Sequence, residues 1–377
     1  MNHRDRLLAA INHREPDRVP VDLGATAVTS LHIDTHRKLK AHFGINDPEE
    51  TIVNRMMQTV LPHEEILKRF DVDVRGVFMG RLDSRPEIER PLNGSTVYTD
   101  EWGVTRIKPP TSHYYDLYEC PFDREDLTIS DVNNYNWPDP EDPGRYRGVV
   151  ERARELREKT DYGVMFVFNV NVVHVTQFMR GFYLWFEDLL LRPELLRTMM
   201  RRVVDIHLAV GERILPQVAP YVDIVQVSDD MGTQDRLQFS PEIYREIIKP
   251  FHREIYNMIH DLTSAKLWLH SCGAISEVLD DLIEIGVDII NPVQVAAKGM
   301  EIESLKERFG DRIVFWGGID TQKLLPQGSP EEVAETVRRT AKILGKGGGY
   351  VLCGTHNIQP EVPVENIITM YDTIINP

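Results

Sequence analysis

A histidine and two cysteines follow apolar runs of strand length, and their types and spacing suit a metal site. His270 and Cys272 come directly after the run at 266–269, and side chains two residues apart in extended chain point to the same side. Cys353 ends a second run, at 350–352. One imidazole and two thiolates match an open zinc site, which keeps a fourth position for water or substrate. The alternative is that the cysteines are small, buried apolar residues without a metal.

The composition indicates a globular protein and argues against several classes. The 377 residues are 42% apolar and 27% charged, which is enough for a large core. No apolar run approaches the ~18 residues of a membrane span and no signal peptide is visible, so we expect no membrane association and a cytoplasmic location. Three cysteines suit a reducing compartment, and a net charge of −16 disfavours nucleic acid as a partner.

Apolar runs alternate with helical patterns along most of the chain. The capping-box pattern of Ser329, Pro330 and Glu332 marks the start of the last of the intervening helices. This repeat predicts an α/β fold, a single (β/α)8 TIM barrel over 1–377. A doubly wound open sheet is the alternative, but the sequence at 23–26 is a poor match for its glycine-rich loop. The eight predicted strands begin near Val19, Val72, Val164, Tyr221, Lys266, Asp288, Arg312 and Tyr350.

Residues at about 80–148, after the second strand, are rich in proline and glycine and predict an insertion in the barrel. Within it, the β-branched and aromatic residues of 95–98 and 103–107 predict a hairpin. The carboxyl ends of the barrel strands form one mouth, so His270, Cys272 and Cys353 are expected to meet at one ion. Polar residues predicted at the mouth are Asn169, Asp229, Asp230, His270, Cys272, Asn291, Asp320, Cys353 and His356.

Four segments are shared with a known family. They are Met179-Arg180-Gly181, Ser240-Pro241-Glu242, Trp316-Gly317-Gly318-Ile319-Asp320 and the segment from His356 to Asn366. They resemble the uroporphyrinogen decarboxylase superfamily and, within it, the zinc- and corrinoid-dependent methyltransferases. That branch implies a TIM barrel with zinc bound by a His-x-Cys pair and a later cysteine, which match His270, Cys272 and Cys353. His356 takes the place of the histidine in the decarboxylases' closing motif.

Two features of the decarboxylases themselves are missing. Their arginine-rich stretch, Arg-Gln-Ala-Gly-Arg-Tyr, has no counterpart at 16–44, and the second predicted strand, at 72–79, ends without the expected acid. A porphyrinogen with eight carboxylates also needs a cationic mouth, which an acidic chain supplies poorly. Decarboxylation of a uroporphyrinogen-type substrate is therefore one alternative function. A non-catalytic barrel that holds zinc or a ligand is another, although structural zinc normally has four protein ligands.

The resemblance implies methyl transfer between a small methylated substrate, a methoxy compound or a thiol, and a corrinoid cofactor of the cobalamin type. O-demethylation is one form of this reaction. The chain lacks the Asp-x-His-x-x-Gly signature of corrinoid proteins, so the methylcorrinoid is expected on a separate partner protein that docks over the mouth. Whether the chain also forms a homodimer is left open.

Roles for the remaining mouth residues follow from this chemistry. His356 is expected to protonate the departing oxygen, with a hydrogen-bonded loop histidine as the alternative. Asp229 and Asp230 are expected to orient substrate, relay a proton or occupy the fourth zinc position, and the alternative for Asp229 is a structural cap. The residues predicted to bind substrate are Asn169, Gln234 and Asp320.

Overall fold

The structure, a computed structural model, describes residues 1–376 and alternates strands and helices along most of that length. The strands are β1 (Leu31–His32), β2 (Ile52–Asn54), β3 (Thr59–Val60), β4 (Val74–Phe78), β5 (Arg90–Leu92), β6 (Ser95–Thr99), β7 (Thr105–Lys108), β8 (Asp116–Glu119), β9 (Gly163–Val167), β10 (Ile224–Ser228), β11 (Lys266–His270), β12 (Ile289–Asn291), β13 (Val314–Ile319) and β14 (Tyr350–Gly354).

Helices alternate with the strands along the chain. They are α1 (His3–Ile11), α2 (Ile33–Phe43), α3 (Glu64–Arg69), α4 (Ile129–Asn133), α5 (Val149–Lys159), α6 (Val173–Arg180), α7 (Phe182–Leu191), α8 (Pro193–Val218), α9 (Pro241–Ile243), α10 (Lys249–Leu262), α11 (Leu279–Glu284), α12 (Ile302–Phe309), α13 (Leu324–Gln327), α14 (Pro330–Leu344) and α15 (Val364–Ile375). A π-helical turn (Tyr244–Ile248) joins α9 to α10. Within residues 1–376, no helix has the length and apolar character needed to cross a membrane.

Seven parallel strands form the central sheet, in the order β4, β9, β10, β11, β12, β13, β14. Their side chains are buried along almost the whole run, as expected for parallel strands whose sheet is covered on both faces. Each begins at or close to the position that the sequence indicated. The predicted (β/α)8 architecture is confirmed, and the strand ends that carry His270, Asn291 and Cys353 open at one mouth.

The eighth position of the barrel is taken by a segment around Val21 that is not a regular strand. Val21 makes one parallel bridge to Leu352 of β14, and its carbonyl oxygen accepts from the backbone N–H of Asp73 at 3.0 Å. The N–H of Val21 donates to Oδ2 of Asp73 at 2.8 Å, and Pro20 has no N–H, so a longer ladder cannot form. The strand predicted to begin near Val19 is thus reduced to a single bridge, yet it closes the ring.

The side chain of Asp73 holds the closing segment around Val21 in place. Its side chain is completely buried and accepts hydrogen bonds from Nη1 of Arg6 and Nη1 of Arg18, each at 2.7 Å. Arg6 belongs to α1, whose Leu7 and Ile11 pack with interior residues of the barrel strands. The carboxylate of Asp73 therefore joins three parts of the chain: helix α1, the segment around Val21 that closes the barrel, and the segment that leads into β4.

The insertion between β4 and α5 contains a four-stranded antiparallel sheet in the order β5, β6, β7, β8. The predicted hairpin is confirmed as β6 and β7, in which Val97 pairs with Ile107. The loop between β7 and β8 then passes the barrel mouth. There the N–H of Tyr115 donates to the carbonyl of Met56 at 2.9 Å, and the carbonyl of His113 lies 3.2 Å from Nε2 of His32.

Helix boundaries follow local signals, with one exception. The predicted capping box of α14 is present, with the Ser329 side chain accepting from the N–H of Glu332. The apolar pattern at 275–285 predicts a helix directly after the His-x-Cys pair, but this helix begins later, as α11 at Leu279. The reason is that Ala274 donates its N–H to the carbonyl of Thr233 at 2.8 Å, which ties this segment to a neighbouring loop before a helix can start.

Replacing Asp73 should destabilise the whole barrel. In Asp73→Asn the buried Arg6 and the partly buried Arg18 lose the counter-charge that they share but keep Asp17 and Asp71, so we expect a loss of about 1–3 kcal/mol of unfolding free energy. Urea unfolding followed by circular dichroism measures the change. The matched control is Glu155→Gln, whose partner Arg152 lies 3.1 Å away in an exposed pair and which should change the free energy by less than ~0.5 kcal/mol. Equal effects of the two substitutions on the free energy of unfolding would contradict the claim that Asp73 stabilises the closed barrel.

Candidate functional site

His270 ends β11, and its ring is oriented by Asn291, which ends β12. Nδ1 of His270 lies 2.6 Å from Oδ1 of Asn291, and Nδ2 of the same amide donates to the carbonyl of Trp316 at 3.0 Å. Because the amide presents its oxygen to the ring, Nδ1 carries the proton and donates it. Nε2 therefore keeps a free lone pair, which is the state that a metal-binding histidine needs.

The free Nε2 of His270 faces a thiol and a carboxylate. Sγ of Cys272 lies 3.3 Å from it, and Oδ1 of Asp230 lies 3.6 Å from it. The N–H of Cys272 donates to this same oxygen at 2.8 Å, which holds the His-x-Cys turn in place. Burial and the charge of Asp230 raise the pKa of the Cys272 thiol well above its ordinary value. A metal ion must therefore displace the thiol proton when it binds.

His356 completes a compact group of potential ligands. One ligand atom from each of His270, Cys272 and His356 lies within 4.8 Å of the other two. Burial and the neighbouring His270 lower the pKa of His356 to about 4, so the ring is neutral at pH 7. Its Nδ1 makes a short hydrogen bond to Oδ1 of Asn357, which leaves Nε2 as the free nitrogen. Two imidazoles and one thiol fit an open zinc site.

Cys353 lies outside this compact group. Its thiol donates to the carbonyl of Gly354 at 3.3 Å, and Nδ2 of Asn291 lies 3.9 Å from its Sγ. One amide side chain therefore stands between Cys353 and His270. Burial raises the pKa of Cys353 well above its ordinary value. The structure brings together two of the three ligands expected from the sequence, and Cys353 as the third stays a prediction.

Asp229 holds the start of α6. Its oxygens accept from the N–H groups of Val172 and Val173 at 2.8 Å and of His174 at 2.9 Å, and Nε2 of His252 lies 2.9 Å from Oδ2. Burial alone would raise the pKa of Asp229, but the bond to His252 and the backbone donors outweigh it and the pKa is lowered. The residue is an ionised helix cap, and its catalytic role stays a prediction.

Asp230 and His174 lie next to each other beside the ligand group. Oδ2 of Asp230 lies 3.6 Å from Nε2 of His174. Burial would raise the pKa of Asp230, but the neighbouring His174 and His270 and the N–H of Cys272 outweigh it, so the pKa is lowered and the carboxylate is ionised. His174 could not be predicted from the sequence, because a histidine in the first turn of a helix has no distinctive spacing. Only the fold brings it to the mouth.

A cavity of about 600 Å³ lies over the ligand group, and Cys272 and His356 form part of its wall. The insertion contributes Tyr114, whose hydroxyl donates to Oδ1 of Asn357 at 2.6 Å and accepts from Nε2 of Gln359 at 2.7 Å. Asn357 thus links the insertion to His356. Its Nδ2 is buried and has no hydrogen-bond partner among residues 1–376. Another cavity, of about 640 Å³, lies between α12 and α14, away from the mouth.

None of the three residues predicted to bind substrate forms part of the cavity wall. Gln234 donates from Nε2 to Oε1 of Gln322, a wall residue, at 3.1 Å. Asp320 accepts from the N–H groups of Gln322 and Lys323 and so caps the turn into α13. Asn169 is exposed just after β9. Their roles in binding stay predictions, with Gln234 the nearest through its bond to Gln322.

Comparison with known proteins gives a family and a fold. The profile of the family described as uroporphyrinogen decarboxylase (URO-D) matches residues 116–376. A uroporphyrinogen decarboxylase from Psychromonas ingrahamii is 24% identical over 381 residues, covering 98% of this chain and 96% of that protein. The methylcobamide:CoM methyltransferase MtaA of Methanosarcina barkeri is 24% identical over 148 residues, or 38% of this chain and 39% of that protein.

Among solved structures, a methyltransferase from Methanosarcina mazei has a similar fold. It matches 99% of this chain and 98% of its own length, with a TM-score of 0.64 and 17% sequence identity. At this identity the likeness is one of fold. It supports the barrel topology over the full length of the chain.

Zinc content of single variants should separate the two possible third ligands. We expect about one zinc per chain, lost in Cys272→Ser, strongly reduced in His356→Gln and retained in Cys353→Ser, because Cys353 is outside the compact group. Elemental analysis after dialysis measures this, with circular dichroism as the control for folding. Zinc lost from Cys353→Ser and kept in His356→Gln would instead establish the set implied by the family resemblance. Full retention in all three variants would remove the site.

Proposed function

Because this chain belongs to the uroporphyrinogen decarboxylase family, we propose that it is an enzyme of that family's methyltransferase type. It moves a methyl group between a small methylated substrate, a methoxy compound or a thiol, and a corrinoid cofactor. The observation that carries this proposal is the compact group of His270, Cys272 and His356 beneath the mouth cavity. The name of the Methanosarcina barkeri relative, which includes methylcobamide, gives independent support for the corrinoid.

Zinc bound by these donors would supply a Lewis acid that polarises a methoxy oxygen or keeps a thiol ionised at neutral pH. The chain's own residues prepare the donors for it. Asn291 fixes the tautomer of His270, and Asp230 holds the backbone of Cys272. His356 is a ligand in this proposal rather than the proton donor expected from the sequence, because it is neutral at pH 7 and its Nδ1 proton is engaged with Asn357.

Proton transfer falls to Asp230 and His174. When a thiol accepts the methyl group, its S–H proton passes to Nε2 of His174, which Asp230 stabilises in the charged form. In the reverse direction, the same nitrogen returns the proton to the departing oxygen or sulfur. Asp229 acts indirectly, because it accepts from the backbone N–H of His174 and so positions this residue.

The corrinoid is expected on a separate protein that docks over the mouth. The sequence offers no cobalt-binding signature of its own. We propose that residues 1–377 act as one domain, since Val21 near the start and β14 near the end close the same barrel. A cytoplasmic location belongs to the same proposal, because a thiol ligand needs a reducing compartment.

Uroporphyrinogen decarboxylation is the second candidate, favoured by the match along almost the whole length of the Psychromonas ingrahamii enzyme. The decarboxylases' arginine-rich sequence is missing from the stretch at 16–44, which in this chain includes the barrel-closing bridge at Val21. Because that sequence is missing, we place this reaction second. Formation of coproporphyrinogen from uroporphyrinogen by the purified chain would put it first.

Methyl transfer should depend on Cys272 and on Asp230 in different ways. Demethylation of methylcobalamin by a panel of thiols, followed by its visible spectrum, is expected with the zinc-loaded protein. Cys272→Ser should lose both zinc and activity, whereas Asp230→Asn should keep zinc and lose activity by about 10²–10⁴-fold, the usual contribution of acid–base groups. The control is Asp126→Asn, because the Asp126 side chain is 81% exposed and pairs with Arg124, which is not a residue of the mouth. Full activity in Cys272→Ser after loss of zinc would contradict the mechanism.

A further inference from the structure

The wall of the mouth cavity has no strong cation. Among its lining residues, all within the described part of the chain, none is lysine or arginine. The basic side chains in the wall are His113 and His356, and His356 belongs to the group of potential metal ligands. An anionic group that enters this cavity therefore finds no counter-charge of the kind that normally binds carboxylate, sulfonate or phosphate.

Negative charge is present instead. Glu361 lines the cavity, and Asp230 lies behind Cys272, where it accepts from the Cys272 N–H at 2.8 Å. The acidic side chain in the wall gives the cavity a negative edge. Burial of an unpaired anion here would be costly.

What the wall offers are neutral polar groups. Amides and hydroxyls supply most of it, and Nδ2 of Asn357 is a buried donor without a partner in residues 1–376. Oε1 of Gln294 accepts from the N–H of Gly273 at 2.8 Å, so this bond does not use the NH2 group of the same side chain. Such donors recognise ether and hydroxyl oxygens, and an unpaired buried donor gains when a ligand oxygen reaches it.

We infer that this cavity selects uncharged methyl donors and acceptors that carry a hydroxyl or ether oxygen, and that it rejects carboxylates and sulfonates. The inference rests on the proposed function, because it names the substrate class of that same site. It separates this chain from enzymes that act on polycarboxylate porphyrinogens. It also separates the chain from transferases whose methyl acceptor is a sulfonated thiol.

Two thiols of the same length test the inference: 2-sulfanylethanol is neutral, and 2-sulfanylethanesulfonate carries a sulfonate in place of the hydroxyl. Binding of each to the zinc-loaded full chain is measured by calorimetry, and methyl transfer from methylcobalamin by the visible spectrum. We expect the neutral thiol to bind at least about tenfold more tightly, equivalent to ~1.4 kcal/mol. Methyl transfer should show the same preference.

A charge-addition variant makes the test specific. Gln322→Lys places a cation in the exposed part of the wall and should narrow the preference at least threefold, whereas Gln327→Lys adds the same charge on α13 outside the cavity and should not. Equal or tighter binding of the sulfonate to the parent chain would overturn the inference, as would no binding of the neutral thiol at ~10 mM. Preferential binding of the neutral thiol without methyl transfer would sustain the inference and contradict the proposed function.

Discussion

The fold depends on one buried carboxylate. Asp73 accepts hydrogen bonds from Arg6, Arg18 and the N–H of Val21, and in this way it closes a ring of seven regular strands and one segment that makes a single bridge at Val21. A parallel barrel brings all its strand ends to one mouth only when it is closed. The meeting of residues that are far apart in the sequence, such as His270 and His356, therefore follows from this closure.

The mouth works through amides that orient imidazoles. Asn291 and Asn357 each present an oxygen to Nδ1 of a histidine, and each histidine then keeps the lone pair of Nε2 available for a metal ion. Both amides are in turn fixed, Asn291 by the carbonyl of Trp316 and Asn357 by the hydroxyl of Tyr114. Tyr114 belongs to the insertion, so the antiparallel sheet has a direct mechanical link to the candidate metal centre.

The sequence was sufficient for the architecture, and it named two of the three members of the compact ligand group, His270 and Cys272, as metal ligands. The strand periodicity, the capping box of α14 and the hairpin of β6 and β7 are local signals, and they predicted elements that the structure contains. The segment at Val21 and the late start of α11 could not be predicted, because both are decided by contacts with distant chain. The same reason hides His174, Asn357 and Tyr114, whose importance lies in their partners and not in their spacing.

The central claim is that zinc is held at the mouth by His270 and Cys272, with His356 beside them. X-ray absorption at the zinc edge of the loaded protein tests it directly, because sulfur and nitrogen neighbours differ in distance. The account predicts one sulfur at about 2.3 Å and two imidazole nitrogens at about 2.0–2.1 Å, with one further light atom. Two sulfurs would assign Cys353 to the ion in place of His356. A shell without sulfur would contradict the account.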